Sequence, residues 1–164
     1  MMDATSARER TAEAFRSVRR RSWLTSACLV AAHAALGALF GTLLAWLGDG
    51  SRWALGVLSV LGAAGSAAWT LARLPDVSAG RLIERRFPAC RNVVITADEV
   101  LSGALAVTEP AAGRVFERAA GMLGGVDVRN AVPVWRAVSL SLVVVAASAA
   151  VIALIWRAAL RILD

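Results

Sequence analysis

Residues 23–47 read WLTSACLVAAHAALGALFGTLLAWL, and after GDGSR at 48–52 residues 53–72 read WALGVLSVLGAAGSAAWTLA. Between Arg21 and Arg52 the one charge is Asp49, and none lies between Arg52 and Arg73. A helix needs about 20 apolar residues to cross a hydrocarbon core about 30 Å thick, so each run is long enough. Gly48-Asp49-Gly50-Ser51 supplies the reversal between them. A third run, free of charge between Arg136 and Arg157, predicts another crossing at 137–156. The first apolar run exceeds the roughly 7–15 residues of a signal-peptide core and leads straight into a second, which favours an uncleaved anchor.

The six tryptophans stand at the ends of these runs: Trp23 and Trp46, Trp53 and Trp69, Trp135 and Trp156. An indole is apolar apart from one N–H that wants a wet partner, so such pairs mark the two interfaces of a bilayer. Separations of 23, 16 and 21 residues correspond to roughly 24–35 Å of helix. The 16-residue pair falls short, which predicts that Trp53 or Trp69 sits deeper and faces a neighbouring helix.

Composition agrees. The chain of 164 residues is 58% hydrophobic, with mean hydropathy +0.62, above the roughly 45–50% of soluble domains. Three spans leave no large water-soluble core for an active site. All 18 basic residues are arginine, and their distribution sets a direction. Six lie before Trp23, nine between Arg73 and Arg136, and only Arg52, Arg157 and Arg161 elsewhere. Because cytoplasmic loops carry the Lys/Arg excess, the N-terminus and the middle segment are expected inside and the C-terminus outside, in a bacterial inner membrane. The expected plan is a basic tail (1–22), a membrane hairpin (23–72, with spans 23–47 and 53–72), a cytoplasmic insert (73–136), a third span (137–156) and a short outer tail (157–164). The fold class is all-α.

Ser6 and Glu9 suggest a capping box for a tail helix carrying Ala14, Phe15 and Val18 and running into the first span. The cluster Arg19, Arg20, Arg21 then sits at headgroup level. Anionic lipid is the expected partner there, and nucleic acid is not, since no aromatic residues interleave with the basic ones. In the insert, Asp76 or Ser78 caps a short helix with Leu82, Ile83 and Phe87 on one face and Arg81, Glu84 and Arg85 on the other, stopped by Pro88. Thr96-Ala97-Asp98-Glu99 reads as a capping box for a second helix through Leu105, breaking near Thr108. Pro110 opens a third, with Val115, Phe116, Ala119, Met122 and Leu123 on one stripe and Gly124-Gly125 at its end. Leu82, Ile83, Phe87, Val115 and Phe116 are the expected core or partner-docking face, and Arg85 and Arg86 the contacts to headgroups or an acidic partner.

Within the first span His33 shares a helical face with Gly37 and Gly41. These glycines allow a close helix approach, matched in the second span by Ser59, Ala63 and Ala67 or by Gly62 and Ser66, in a bundle or a homo-oligomer. The imidazole is expected to hide between helices on a hydroxyl partner. A proton or ligand path is the sharper alternative for an intramembrane histidine, though no carboxylate lies in any span.

Catalytic chemistry is nearly absent. The single histidine lies in a span, and two distant cysteines with it make no metal cluster, so neither metal nor cofactor is expected. Glu84, Asp98, Glu99 and Glu117 read as solvated or capping carboxylates. Cys28, in a span, and Cys90 read as reduced thiols; Cys90 is the exposed one, with Arg86 and Arg91 favouring its thiolate.

The stretch Leu82-Ile83-Glu84-Arg85-Arg86-Phe87-Pro88, followed by Arg91-Asn92 and Thr96-Ala97-Asp98-Glu99, resembles the cytoplasmic insert of a large uncharacterised family of bacterial membrane proteins. Those proteins share a basic tail, a membrane hairpin, an insert with a Glu-Arg-Arg-x-Pro motif, and a third span. The resemblance implies MoxR-type AAA+ ATPases or von Willebrand A-domain membrane proteins as partners, and a long periplasmic portion beginning where this chain stops at Asp164. It carries over no catalytic residue. The expected function is an inner-membrane anchor or scaffold for an envelope-associated complex, not an enzyme. The alternative is a small transporter or channel subunit using His33.

Overall fold

The computed structural model describes residues 4–48, 51–74, 77–90 and 92–162. Asp49, Gly50, Asp76, Arg91 and residues 163–164 of the expected outer tail lie outside the described residues. The described residues are helical and contain no strand: α1 (Ala4–Gly48), α2 (Arg52–Arg73), α3 (Ala79–Arg86), α4 (Val93–Leu101), α5 (Glu109–Gly124) and α6 (Val134–Ile162), with 3₁₀ turns at Pro88–Cys90 and Val128–Ala131. Three helices, α1, α2 and α6, are long and apolar enough to cross a membrane. The chain divides into two compact units, residues 1–23 with 76–134 and residues 24–75 with 135–164.

The second unit contains the apolar lengths. Its α1 and α2 segments meet through glycine: a Cβ at Gly37 would overlap the carbonyl of Gly62 and the side chain of Ser66, and one at Gly41 would overlap the Leu58 carbonyl. Such contact needs residues without side chains, and it runs antiparallel. Next to it Thr42 donates to the Ala38 carbonyl at 2.8 Å and shares a hydrogen bond with the Ser59 hydroxyl, while Thr70 donates to the Ser66 carbonyl at 2.7 Å. These hydroxyls are thereby satisfied without water. Ser51 caps α2 by accepting the Ala54 N–H. Ile155, Ala159 and Trp156 of α6 pack with Ala45 and Leu55. Only 11–17% of each apolar window is buried within the protein, so most of this apolar surface needs a lipid solvent.

The first unit joins the N-terminal part of α1 to α3, α4 and α5. Phe15, Val18, Ile83, Val94, Ala97 and Phe116 share one core. The basic tail is thus a structural helix of the insert's own fold. Ser6 lies inside α1 and is not its cap, because the helix already runs from Ala4. Ser78 caps α3 through the Arg81 N–H, and Phe87, at φ −128° and ψ 77°, leaves the helical region before Pro88. The start of α4 differs from the capping-box expectation. Asn92 precedes it at φ 64°, and the Glu84 carboxylate accepts the N–H groups of Asn92, Val94 and Ile95 at 3.0–3.1 Å. A cap supplied by another helix lets α4 begin at Val93, so Thr96 falls in its interior and donates to the Asn92 carbonyl. At the other end Gly103, at φ 77°, turns the chain, which stops α4 at Leu101 rather than beyond Leu105. The third insert helix follows expectation, with Pro110 in its first turn.

Asp98 is 2% exposed and forms the polar centre of this unit. Its Oδ2 accepts the Gly80 N–H at 2.9 Å, and its Oδ1 accepts from the Arg19 guanidinium at 2.8 Å. Gly80 permits this approach, since a Cβ there would meet the Ile95 Cα at 2.8 Å and the Val94 carbonyl at 2.9 Å. Asp98→Ala strands the Gly80 N–H and is expected to cost about 1–3 kcal/mol; Gly80→Ala forces α3 off α4 at a similar cost. Limited proteolysis of the micellar protein measures both. Unchanged cleavage of residues 77–134 in the two variants would contradict this packing.

Candidate functional site

Of the two roles expected for the face of Leu82, Ile83, Phe87, Val115 and Phe116, core or docking surface, the structure shows mostly core. Ile83 and Phe116 are buried, and Leu82, Phe87 and Val115 are half-buried against them. A helical stripe in a small unit is taken up by its own neighbours first, and here those include the tail helix. Arg85, Arg86 and Arg20 are exposed. Arg19 is 57% exposed but bonded to Asp98, and Arg21 donates to the Arg129 carbonyl at 3.0 Å. Two of the three clustered arginines therefore hold the fold together before they meet any lipid.

Gly37 and Gly41 are buried, with Ser59 and Gly62 opposite them, as the small-residue reading requires. His33 does not share that seam. It is exposed, and its Nδ1–H donates to the Leu29 carbonyl at 2.9 Å in its own helix. Steps of four residues drift about 40° around a helix of 3.6 residues per turn, which carries His33 off the face that Gly41 presents. Nor does Trp53 or Trp69 turn inward: they are 86% and 61% exposed. Trp69 instead lies under the Arg73 guanidinium, 3.9 Å from its ring centre. Trp23, Trp46 and Trp135 are also exposed, and Trp156 is the half-buried one.

Two of the clefts on the first unit bear on function. One, of about 330 Å³, lies where Arg8 stands over the Phe116 ring beside Leu105, Val107 and Glu109. The other, also about 330 Å³, lies between α4 and α5 and is lined by Asn92, Val93, Thr96, Arg114, Val115 and Arg118. Its lining holds two guanidiniums, an amide and a hydroxyl over two valines, and no carboxylate. Sequence reading passed over Arg114 and Arg118 because only the packing of α5 against α4 gives them a shared cleft. The four-residue spacing was the available signal. Among the described residues no three His, Cys, Asp or Glu side chains converge to hold a metal.

Cys90 corrects the sequence reading. It is 2% exposed, not a surface thiol, and burial raises its pKa, with the nearby Glu84 carboxylate adding to the rise. The arginines adjacent in sequence do not outweigh these two effects. Raising the folded-state pKa means the unfolded thiol ionises first, so stability is lost as pH rises past the ordinary thiol range of about 8.5. The chain has no lysine and no tyrosine, so little else titrates there. Denaturation of the micellar protein at rising alkaline pH is expected to shift to lower denaturant, and Cys90→Ala to flatten the profile. Alkylation of native Cys90 at neutral pH at the rate of a free thiol would contradict its burial.

Against family models, curated proteins and solved structures, the chain matches none.

Proposed function

We propose that the protein is a three-span inner-membrane anchor, with no catalysis of its own, whose folded helical unit docks a partner in an envelope-associated complex. The observation that carries this reading is the assembly of residues 4–23 with residues 77–134 into one core. Two apolar helical lengths separate these segments in the chain. Segments that share a core lie on one side of any membrane, which supports an even number of crossings between them. Fifteen of the 18 arginines belong to these segments or their edges, which supports a cytoplasmic side for them and an outer C-terminus. Internal use of the polar groups argues in the same direction: Asp98, Glu84 and Arg19 are committed to structure, leaving surface for binding and little for chemistry. The Glu-Arg-Arg-x-Pro resemblance adds a MoxR-type ATPase or a von Willebrand A-domain membrane protein as the partner.

Purification in gentle detergent is expected to retain a stoichiometric protein of one of these kinds. A reporter fused after Asp164 is expected to be active only outside the cytoplasm, and a cytoplasmic signal would overturn the three-span topology. Proteoliposome flux that disappears in His33→Ala would overturn the anchor reading in favour of a transporter or channel subunit.

A further inference from the structure

We infer that the cleft between α4 and α5 is the docking surface of the helical unit, and that it takes an acidic segment of a protein partner carrying an apolar side chain beside its carboxylates. The inference rests on the anchor reading and names the surface and the chemistry that serve it.

Arg114 and Arg118 stand four residues apart on α5, so their charges repel on one helical face. Both are exposed, and neither forms an ion pair among the described residues. Arg114 has only a long 3.4 Å contact from its Nε–H to the Pro110 carbonyl. Carboxylates of the unit are spent elsewhere: Asp98 on Arg19 and Gly80, Glu84 on three backbone N–H groups, and Asp127 on the Arg129 N–H and the Asn130 amide. The cleft concentrates cationic donors that the fold itself leaves unanswered.

Across from them α4 contributes Asn92 and Thr96. The Asn92 side chain makes no capping bond, because Glu84 already performs that task. Its amide N–H groups are therefore donors for an incoming oxygen. The floor is apolar: Val93 and Val115 are half-buried and rest on the core. A free oxyanion needs guanidiniums and no such floor, whereas a peptide with carboxylates flanking a leucine-like side chain uses both. Planar guanidiniums pair with carboxylates through two parallel hydrogen bonds, which gives such a segment a defined register. A space of about 330 Å³ is at the small end of ligand pockets and suits side chains of a docked segment.

The test uses the full chain in zwitterionic nanodiscs and a fluorescein-labelled helical peptide of glutamate, leucine and alanine, read by anisotropy. Binding that weakens with salt is expected, with an affinity loss of about tenfold in Arg114→Gln or Arg118→Gln and no change in Arg81→Gln, an exposed arginine on α3 outside the cleft. Equal loss in Arg81→Gln, or none in the cleft variants, overturns the inference. So does undiminished binding of a peptide with serine in place of leucine, or displacement by inorganic phosphate at the peptide's own concentration, since either describes a bare anion site. The co-purified partner separates this inference from the reading beneath it. A partner retained by the double Arg114→Gln, Arg118→Gln variant overturns the cleft and leaves the anchor standing; a wild-type protein without any partner removes the anchor itself.

Discussion

A carboxylate removed from water must be given donors, and Asp98 draws them from segments far apart in the chain: the backbone of Gly80, 18 residues earlier, and the guanidinium of Arg19, 79 residues earlier. Leaving either oxygen unmatched costs the desolvation of a charge. The arrangement of the helical unit follows from that requirement. Gly80 holds α3 against α4 at backbone distance, and Arg19 fastens the N-terminal helix over both. Glu84 does comparable work a turn away, accepting three N–H groups at the start of α4. The apolar side chains of Phe15, Val18, Ile83 and Phe116 then close around a polar frame already satisfied.

The second unit obeys a different solvent. Where lipid tails are as apolar as leucine, burying leucine gains little, and helices associate through contact distance and internal hydrogen bonds. The seam is accordingly glycine, serine and threonine, with Gly37, Gly41 and Gly62 at backbone contact and the Thr42 and Ser59 hydroxyls sharing their two protons between each other and the carbonyls of their own helices. Bulky residues such as Phe40, Val60, Leu61, Leu140 and Val143 are left outside. The same chain thus buries large apolar groups in one unit and exposes them in the other.

These two regimes shape the functional proposal. Two of the candidate carboxylates, Asp98 and Glu84, are consumed as structural acceptors, and burial pushes the pKa of the Cys90 thiol up. Arginines exceed the acceptors available to them, and where they gather over an apolar floor the unit presents a surface suited to recognition.

By itself the sequence determined the helical class, the three apolar lengths, the glycine seam and the beginnings of α2, α3 and α5. Each is a local property: charge-free length, small residues at helical spacing, and a serine or proline at a first turn. Only tertiary structure decided that the basic tail is part of the insert's core, that Asp98 is a buried acceptor and Glu84 a half-buried one, that α4 begins at Val93 and that Cys90 is sealed. It likewise put Arg114 and Arg118 in one cleft with Asn92, and left His33 facing outward with its own backbone as partner. The reason is the range of the forces. Periodicity and capping act within a few residues, whereas the partner of a buried charge is set by whichever donor the folded chain brings to it, and no local pattern encodes a distance of 79 residues.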